Sequence, residues 1–403
     1  MSLLSVEEAQ ARLLSSIRPV RETETLPLHD CDMRVLAVDL QARLTQPPFN
    51  ASAMDGYALK AADAAEPGAI LRVIGESSAG HGFDGSVQHG EAIRIFTGAP
   101  VPDGADSVLL QEDAERLDEG KVRTTFPVTP GRHIRPHGQD FHEGEVALTA
   151  GTLLDFTRIT LAAAMNHAAL PVYRKPRVAI IATGDELVSP GQKPSAHQII
   201  GSNTFGIAAL ARSLGADVID IGIVGDSSAQ IADAIAGAEA AKADVIVTLG
   251  GASVGDHDLV QSSLLAAGMV LDFWKIAMRP GKPLMVGKLG DVHVLGLPGN
   301  PVSSMVCGLL FLEPLLAALG HLPVPNRMTS ARLLSPLATN DRRQDYLRAR
   351  LTKTENADWT VESFGKQDSS MMKIFAQSDC LIVRPPHGPA LAAGDICPIM
   401  LLR

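Results

Sequence analysis

Acidic residues recur at places where a strand-like run ends in a turn. RVAIIATGDEL ends on Asp185 and Glu186, VIDIGIVGD on Asp226, and DVIVTLGGASVGDHD on Asp256 and Asp258, while SAMDGYA carries Asp55 far upstream. Strands flanked by helices build a parallel sheet, and ligands bind such sheets beyond the carboxyl ends of the strands. Carboxylates gathered at that edge without matching bases repel one another unless a metal or other cation lies among them. The pattern points to a magnesium-assisted enzyme acting on a phosphorylated substrate. In TGDEL, Asp185 could simply cap its turn, leaving Glu186 as the working carboxylate.

Several neighbouring segments suit an anionic ligand. In LGGASVGDHD, Gly250, Gly251 and Gly255 allow tight bends that bring backbone amides to phosphate oxygens. Ser253 can add a hydroxyl, and Asp256 or Asp258 can hold Mg²⁺ directly or through water; the alternative is a glycine-rich turn with a capping Asp. In LPGNPVSS, Asn300 suits an N-cap and Pro301 the first helical position, and a helix N-terminus offers free amides to an anion. FWKIAMRPGKPLMVGKLG carries Lys275, Arg279, Lys282 and Lys288 without an acid. Four uncompensated cations in an acidic chain read as an anion site or, more plainly, as a solvated basic edge. Asp55 beside the flexible Gly56 and Thr97 in RIFTGAPVP can each be turn chemistry alone. In HIRPHGQDFHEGE, His133, His137 and His142 match no helical metal-ligand spacing and read as surface residues, which leaves Arg135 and Asp140 as the residues of interest.

The elements that must position these residues fall into five stretches that make four domains, within the two to four domains that ~100–200 residues per domain allows for a chain of 403. Residues 1–45 begin with an amphipathic helix and end at the diproline Pro47-Pro48, which favours extended backbone. A β module follows over 46–140, with AILRVIG, EAIRIFTG, SVLLQED and KVRTTF as strands. Residues 141–176 carry a further helix and are expected to pack on 1–45 as a linker and dimerisation domain. From 177 to 325 strands and helices alternate, with VAIIAT apolar throughout as in a strand buried on both faces. Residues 326–403 return to short strands. The fold class is therefore multidomain α/β plus all-β: a parallel-sheet α/β domain, an inserted β module and a C-terminal β domain.

Composition narrows the partners. Aromatics make up 4% of the chain and the formal charge is −10, which argues against nucleic-acid stacking platforms and general polyanion binding. Cys31, Cys307, Cys380 and Cys397 form no C-x-x-C pair. The most apolar run, MVCGLLFLEPLLAAL, is broken by Glu313 and Pro314 and is too short to span a bilayer. A reduced, cytoplasmic, soluble protein without membrane or nucleic-acid partners is expected.

Taken together and in order, SAMDGYA, RIFTGAPVP, IRPHGQD, ATGDEL, LGGASVGDHD, RPGKP and LPGNPVSS resemble the molybdopterin molybdenumtransferase family, the molybdenum insertases that include the E domain of gephyrin. The resemblance spans almost the whole chain. It implies that adenylylated molybdopterin and molybdate are substrates, that AMP is released, and that Mg²⁺ is required. It also implies a homodimer whose cleft is shared between the α/β domain of one subunit and the β module of the other. Contacts with the molybdopterin adenylyltransferase and with later cofactor-maturation proteins would follow.

On this resemblance Asp55, Thr97, Arg135 and Asp140 match the β-module side of the cleft. Glu186, Asp226, Asp256 and Asp258 match the edge that handles nucleotide phosphate and metal. Lys275, Arg279, Lys282, Pro298, Pro301 and Ser303 match the anion-binding side; Gly250, Gly251, Ser253 and Asn300 join them as substrate-binding residues on the reading of their own motifs given above. Arg348 and Ser369 match terminal-domain positions associated with molybdate and pterin phosphate. Asp55, Thr97, Asp140, Glu186, Asp226 and Asp258 would be the catalytic group. Family members often have Lys at Arg279, Glu at Gln139 and Gly at Asp368; the last adds a negative charge beside the molybdate position. The alternatives are the adenylyltransferase itself, whose fold resembles only 177–325, and a non-catalytic scaffold of the same fold.

Overall fold

The computed structural model describes residues 3–250, 259–353 and 359–403. These divide into two units, Met1–Glu24 with Tyr173–Arg403, and Thr25–Val172.

In the smaller unit a six-stranded sheet runs in the order Ser107–Leu110, Gly56–Leu59, Glu91–Ile95, Ile70–Ser77, Lys121–Thr124 and Ala114–Leu117. A second core brings Cys31, Leu36 and Leu40 together with Phe141, Leu154, Met165 and Leu170. Its helix, Phe156–Ala164, starts where the Asp155 carboxylate accepts from Thr157 N and Arg158 N, each at 3.0 Å, the usual way to satisfy orphan amides of a first turn.

The first 24 residues depart from the expected grouping of 1–45 with 141–176. Their helix, Val6–Ser15, opens on a Ser5–Glu8 capping box and buries Val6, Ala9 and Leu13. That stripe packs in the same core as Phe311, Leu315 and Leu316 of the larger unit, because three residues at helical spacing need an apolar partner and find it there.

The larger unit is built on a six-stranded sheet: β1 (Arg177–Thr183), β2 (Asp217–Val224), β3 (Val245–Leu249), β4 (Val270–Lys275), β5 (Pro283–Leu289) and β6 (Val292–Leu297), in the order β2-β1-β3-β6-β5-β4. The two-residue side-chain period is visible directly. Val178 and Ile180 face one core while Ala179 and Ile181 face the other. β2, β1, β3 and β6 are parallel. β5 opposes the rest because it joins β6 through a tight hairpin at Gly290, φ 59°.

One helix, Pro301–Leu319, crosses the core. By length and composition it could span a membrane, yet 83% of that window is buried inside the unit. Glu313 and Pro314 do not break it. Pro314 has no N–H for the Leu310 carbonyl four residues earlier; the Gln10 side chain of the N-terminal helix donates to that oxygen at 2.8 Å. A π-helical turn at Gly308–Leu312 absorbs the misfit, and Glu313 is neutralised by Arg327 at 2.7 and 2.8 Å.

The terminal β domain is a closed barrel. Gln344–Lys353 pairs with both Trp359–Ser363 and Cys380–Arg384, and Met328–Leu333 and Ile396–Leu401 complete the ring. A short strand from the α/β sequence, Met278–Arg279, adds in parallel to Gln344–Asp345.

Candidate active site

A cleft of ≈ 750 Å³ opens beyond the carboxyl ends of the parallel strands, lined among others by Thr183, Glu186, Asp226, Gly250, Pro298 and Asn300. The strands set its floor. The Thr183 and Thr248 hydroxyls, at the ends of β1 and β3, are buried without a hydrogen-bond partner among the described residues. Gly250 bends away at φ 97°, where a Cβ would lie 2.7 Å from the Thr183 carbonyl oxygen. The position therefore requires glycine. Gly251, Ser253, Gly255, Asp256 and Asp258 lie outside the described residues.

Along the acidic rim, Asp226 N donates to Asp185 Oδ1 at 3.0 Å, and Asp185 N donates back to Asp226 Oδ2 at 3.4 Å. Asp185 thus caps the neighbouring turn. The Glu186 carboxylate has no hydrogen bond or ion pair among the described residues and folds across Gly184, where a Cβ would sit 2.3 Å from Glu186 Oε2.

Opposite the rim stands the start of the core helix, Pro301–Leu319. Pro301 takes the first helical position after Asn300, whose carbonyl accepts from Ser304 N at 2.9 Å but whose side chain makes no capping bond. Asn203 at the start of Asn203–Ser213 donates to Gly299 O at 2.8 Å and fixes the turn. Val302 N donates to Ser369 O at 3.0 Å, which brings Ser369 of the terminal domain to this helix start. Ser303 is buried, and the fully buried Ser304 hydroxyl is unpartnered among the described residues.

The basic strip is less free than its sequence implies. Arg279 is paired with Asp345 through Nε at 2.8 Å and through Nη2, and Nη1 stands 3.5 Å from Asp341. The bond to Asp345 pushes the guanidinium pKa up. This corrects the expectation of four uncompensated cations: the acids come from the barrel, not from the strip. Lys288 donates to Ser16 O at 2.6 Å, and Lys275 lies over the Trp274 ring at 4.6 Å. Lys282 alone of the four has no such contact among the described residues. Its loop is set by Gly281, φ 114°, where a Cβ would be 2.6 Å from Cys307 Sγ.

In the barrel, Arg348 is 1% exposed. Its backbone N and its Nε donate to Gln367 Oε1 at 2.9 and 3.1 Å, and Nη1 is buried without a partner among the described residues. Burial lowers its pKa against the opposing pull of Asp368. The Asp368 carboxylate accepts from the Ser370 hydroxyl at 2.6 Å and from Ser370 N at 2.8 Å, which hold it below the usual carboxylate range.

In the smaller unit, Asp55 Oδ1 accepts from Thr97 N at 2.7 Å and Thr97 Oγ1 at 2.8 Å. These bonds, the backbone one first, lower its pKa, and Arg94 adds to them. Gly56 is not a flexible neighbour. It is paired on both sides in the sheet, and a Cβ there would lie 1.8 Å from Leu109 O. The segment 46–55 gathers the other residues: Arg135 pairs with Ala51, and Asp140 N donates to Gln46 O at 3.0 Å. His137 and His142 meet edge to face at 6.3 Å. The described residues hold no group of three or more His, Cys, Asp or Glu able to bind a metal. No local spacing marks Gln367 or Asn203, whose partners Arg348 and Gly299 lie 19 and 96 residues away, nor Thr183, Thr248 and Ser304, whose hydroxyls have no partner among the described residues to mark them.

Comparison with known proteins agrees with this architecture. Three family models match in order: MoeA N-terminal region (domain I and II) over residues 4–166, a probable molybdopterin binding domain over 179–318, and MoeA C-terminal region (domain IV) over 330–402. A molybdopterin molybdenumtransferase from Haemophilus influenzae is 33% identical over 398 residues, 98% of this chain and 97% of that protein. One from Nostoc sp. is 34% identical over 394 residues, covering 95% and 89%. The crystal structure of a molybdopterin biosynthesis MoeA protein from Pyrococcus horikosii matches 100% of both chains with a TM-score of 0.83 at 29% identity.

Proposed function

The chain belongs to the molybdopterin molybdenumtransferase family, and on that premise we propose that it inserts molybdenum from molybdate into adenylylated molybdopterin, releasing AMP. One observation carries the proposal. A strand-end cleft with acids on its rim and a buried, incompletely partnered arginine belong to one unit, tied by the hydrogen bond from Val302 N to Ser369 O.

We further propose dependence on Mg²⁺. This ion keeps several waters and takes one or two carboxylates plus substrate phosphates, and the exposed oxygens of Glu186 and Asp226 on the cleft wall fit that demand. Bound there it would neutralise the phosphate charge that builds up as the phosphoanhydride is cleaved. The chain's own part is binding and orientation. The turn at Gly250 and the core-helix start face the cleft with backbone, Lys282 and Arg348 supply positive charge for molybdate, and Asn203 holds the Gly299 turn in place. The sulfur that takes up molybdenum belongs to the substrate. All four cysteines are buried, and burial pushes the Cys380 thiol up to about 12.

We also propose a cytoplasmic homodimer in which Asp55 of one subunit and Glu186 of the other serve the same reaction, with the adenylyltransferase and later cofactor-maturation proteins as partners. The deciding assay is AMP release from adenylylated molybdopterin, with and without molybdate and with and without Mg²⁺. Insertion requires release that depends on both. Release without molybdate, or none under any condition, refutes it. Mixing Asp55→Ala and Glu186→Ala chains should restore part of the activity; a confirmed heterodimer that stays inactive refutes the shared site.

A further inference from the structure

We infer that Gln367 is a positioning residue, fixing the buried Arg348 guanidinium through Nε so that its end nitrogens are left for an oxyanion. The inference rests on the insertion reading above and names how its anion site is kept in shape. Gln367 makes four hydrogen bonds with its amide. Oε1 accepts from Arg348 N at 2.9 Å and Nε at 3.1 Å, while Nε2 donates to Arg348 O at 3.0 Å and Phe364 O at 2.7 Å. One side chain thus grips both the backbone and the guanidinium of the same arginine. Only a neutral amide can do this, because it accepts on one arm and donates on the other.

The choice of partner matters as much as the grip. A carboxylate in place of Gln367 would satisfy the guanidinium charge, yet the structure uses an uncharged acceptor and leaves Nη1 buried and unpartnered among the described residues. A buried polar group left unpaired is costly, and such groups persist where function uses them. The nearest acid in sequence, Asp368, is turned to Ser370, accepting from its hydroxyl and backbone N–H. The next residue, Ser369, is fixed to the core-helix start through Val302 N. The 367–369 segment therefore sets three things in succession: the aim of Arg348, the diversion of Asp368, and the attachment to the cleft wall.

The test is molybdate binding to the full chain by equilibrium dialysis, alongside steady-state AMP release. Gln367→Leu and Gln367→Glu are each expected to weaken molybdate by about tenfold or more, the scale of one well-aligned charge-assisted hydrogen bond, while the KM for adenylylated molybdopterin stays within about twofold. The leucine variant frees the guanidinium; the glutamate variant keeps an acceptor for Arg348 N and Nε, but it sets a negative charge on the guanidinium and gives up the donation to Arg348 O and Phe364 O. In an Arg348→Ala background, Gln367→Leu should cause no further loss of molybdate affinity, which a merely structural role would not produce. Unchanged molybdate affinity in a folded variant, or an equal further loss in the Arg348→Ala background, overturns the inference while leaving the insertion reading intact. If Gln367→Leu fails to fold, Gln367→Glu decides. A wild-type chain that binds no molybdate overturns both.

Discussion

On the rim of the strand-end cleft, Glu186 and Asp226 carry their charge in contact with water, and Glu186 engages no other described side chain. In the terminal barrel, Arg348 carries its charge at 1% exposure, gripped by a neutral amide and short of one partner. Solvated carboxylates cost little to keep and can wait for a cation. A buried guanidinium is expensive to keep but needs no reorganisation when an anion arrives. The cleft is suited to recruit its counter-ion, the barrel to hold its direction in advance.

The largest expected effect separates the two. Glu186→Gln and Arg348→Ala should each reduce molybdate-dependent AMP release by about 10²–10³-fold, ~2.7–4 kcal/mol for one key electrostatic group. Urea unfolding should then tell them apart. Glu186→Gln should stay within about 0.5 kcal/mol of wild type, and Arg348→Ala should lose ~1–3 kcal/mol as Gln367 Oε1 loses one of its two donors. Equal losses of stability would mean that the two charges are held in the same way.

A third way of handling an ionisable group lies at the opposite end of the sheet. His293, 3% exposed at the start of β6, has its pKa lowered to about 4 by desolvation and then by Lys288, against the opposing pull of Asp244 and Asp291. The folded state then binds fewer protons than the unfolded state between the ordinary histidine value, ~6.5, and about 4. Stability should fall as pH drops through that window, by up to about 3 kcal/mol, and level off below it. His293→Phe should flatten the slope in pH-dependent urea unfolding; an unchanged slope would mean that the imidazole is solvated.

The smallest effect sharpens the boundary between cleft and barrel. The Asp345 side chain is 4% exposed and takes both arms of Arg279. Arg279→Ala should lower stability by ~1–2 kcal/mol, less than a fully buried pair because the guanidinium is half exposed, and Arg279→Lys should recover part of it. A selective loss of molybdate affinity with no change in melting temperature would instead place Arg279 in the anion site.

What was legible in the sequence was local. VAIIAT announces a strand buried on both faces because every residue must meet a core, and the acids after each strand mark the rim because a turn follows immediately. PGNPV announces a helix start through Pro301. What was illegible depends on partners far along the chain. The strip around Arg279 looks uncompensated only because Asp345 stands 66 residues away. Asp368 looks like an intruder beside Arg348 until Ser370 turns its carboxylate aside. Gly56 looks like a hinge, whereas it is a point of contact between neighbouring strands. Gly251, Ser253, Asp256 and Asp258 fall outside the described residues, so their part in the rim rests on the resemblance.

The hydrogen bond from Gln10 to Leu310 O has a consequence for how this chain can change over generations. Pro314 removes a donor from the core helix and Gln10 supplies one from a segment 300 residues away, so a change at one position alters the constraint on the other. A lineage that loses the amide at position 10 first leaves a backbone oxygen without its donor, and one that regains an N–H at position 314 releases position 10 from its constraint. Among homologues the two sites should covary although neither touches the cleft.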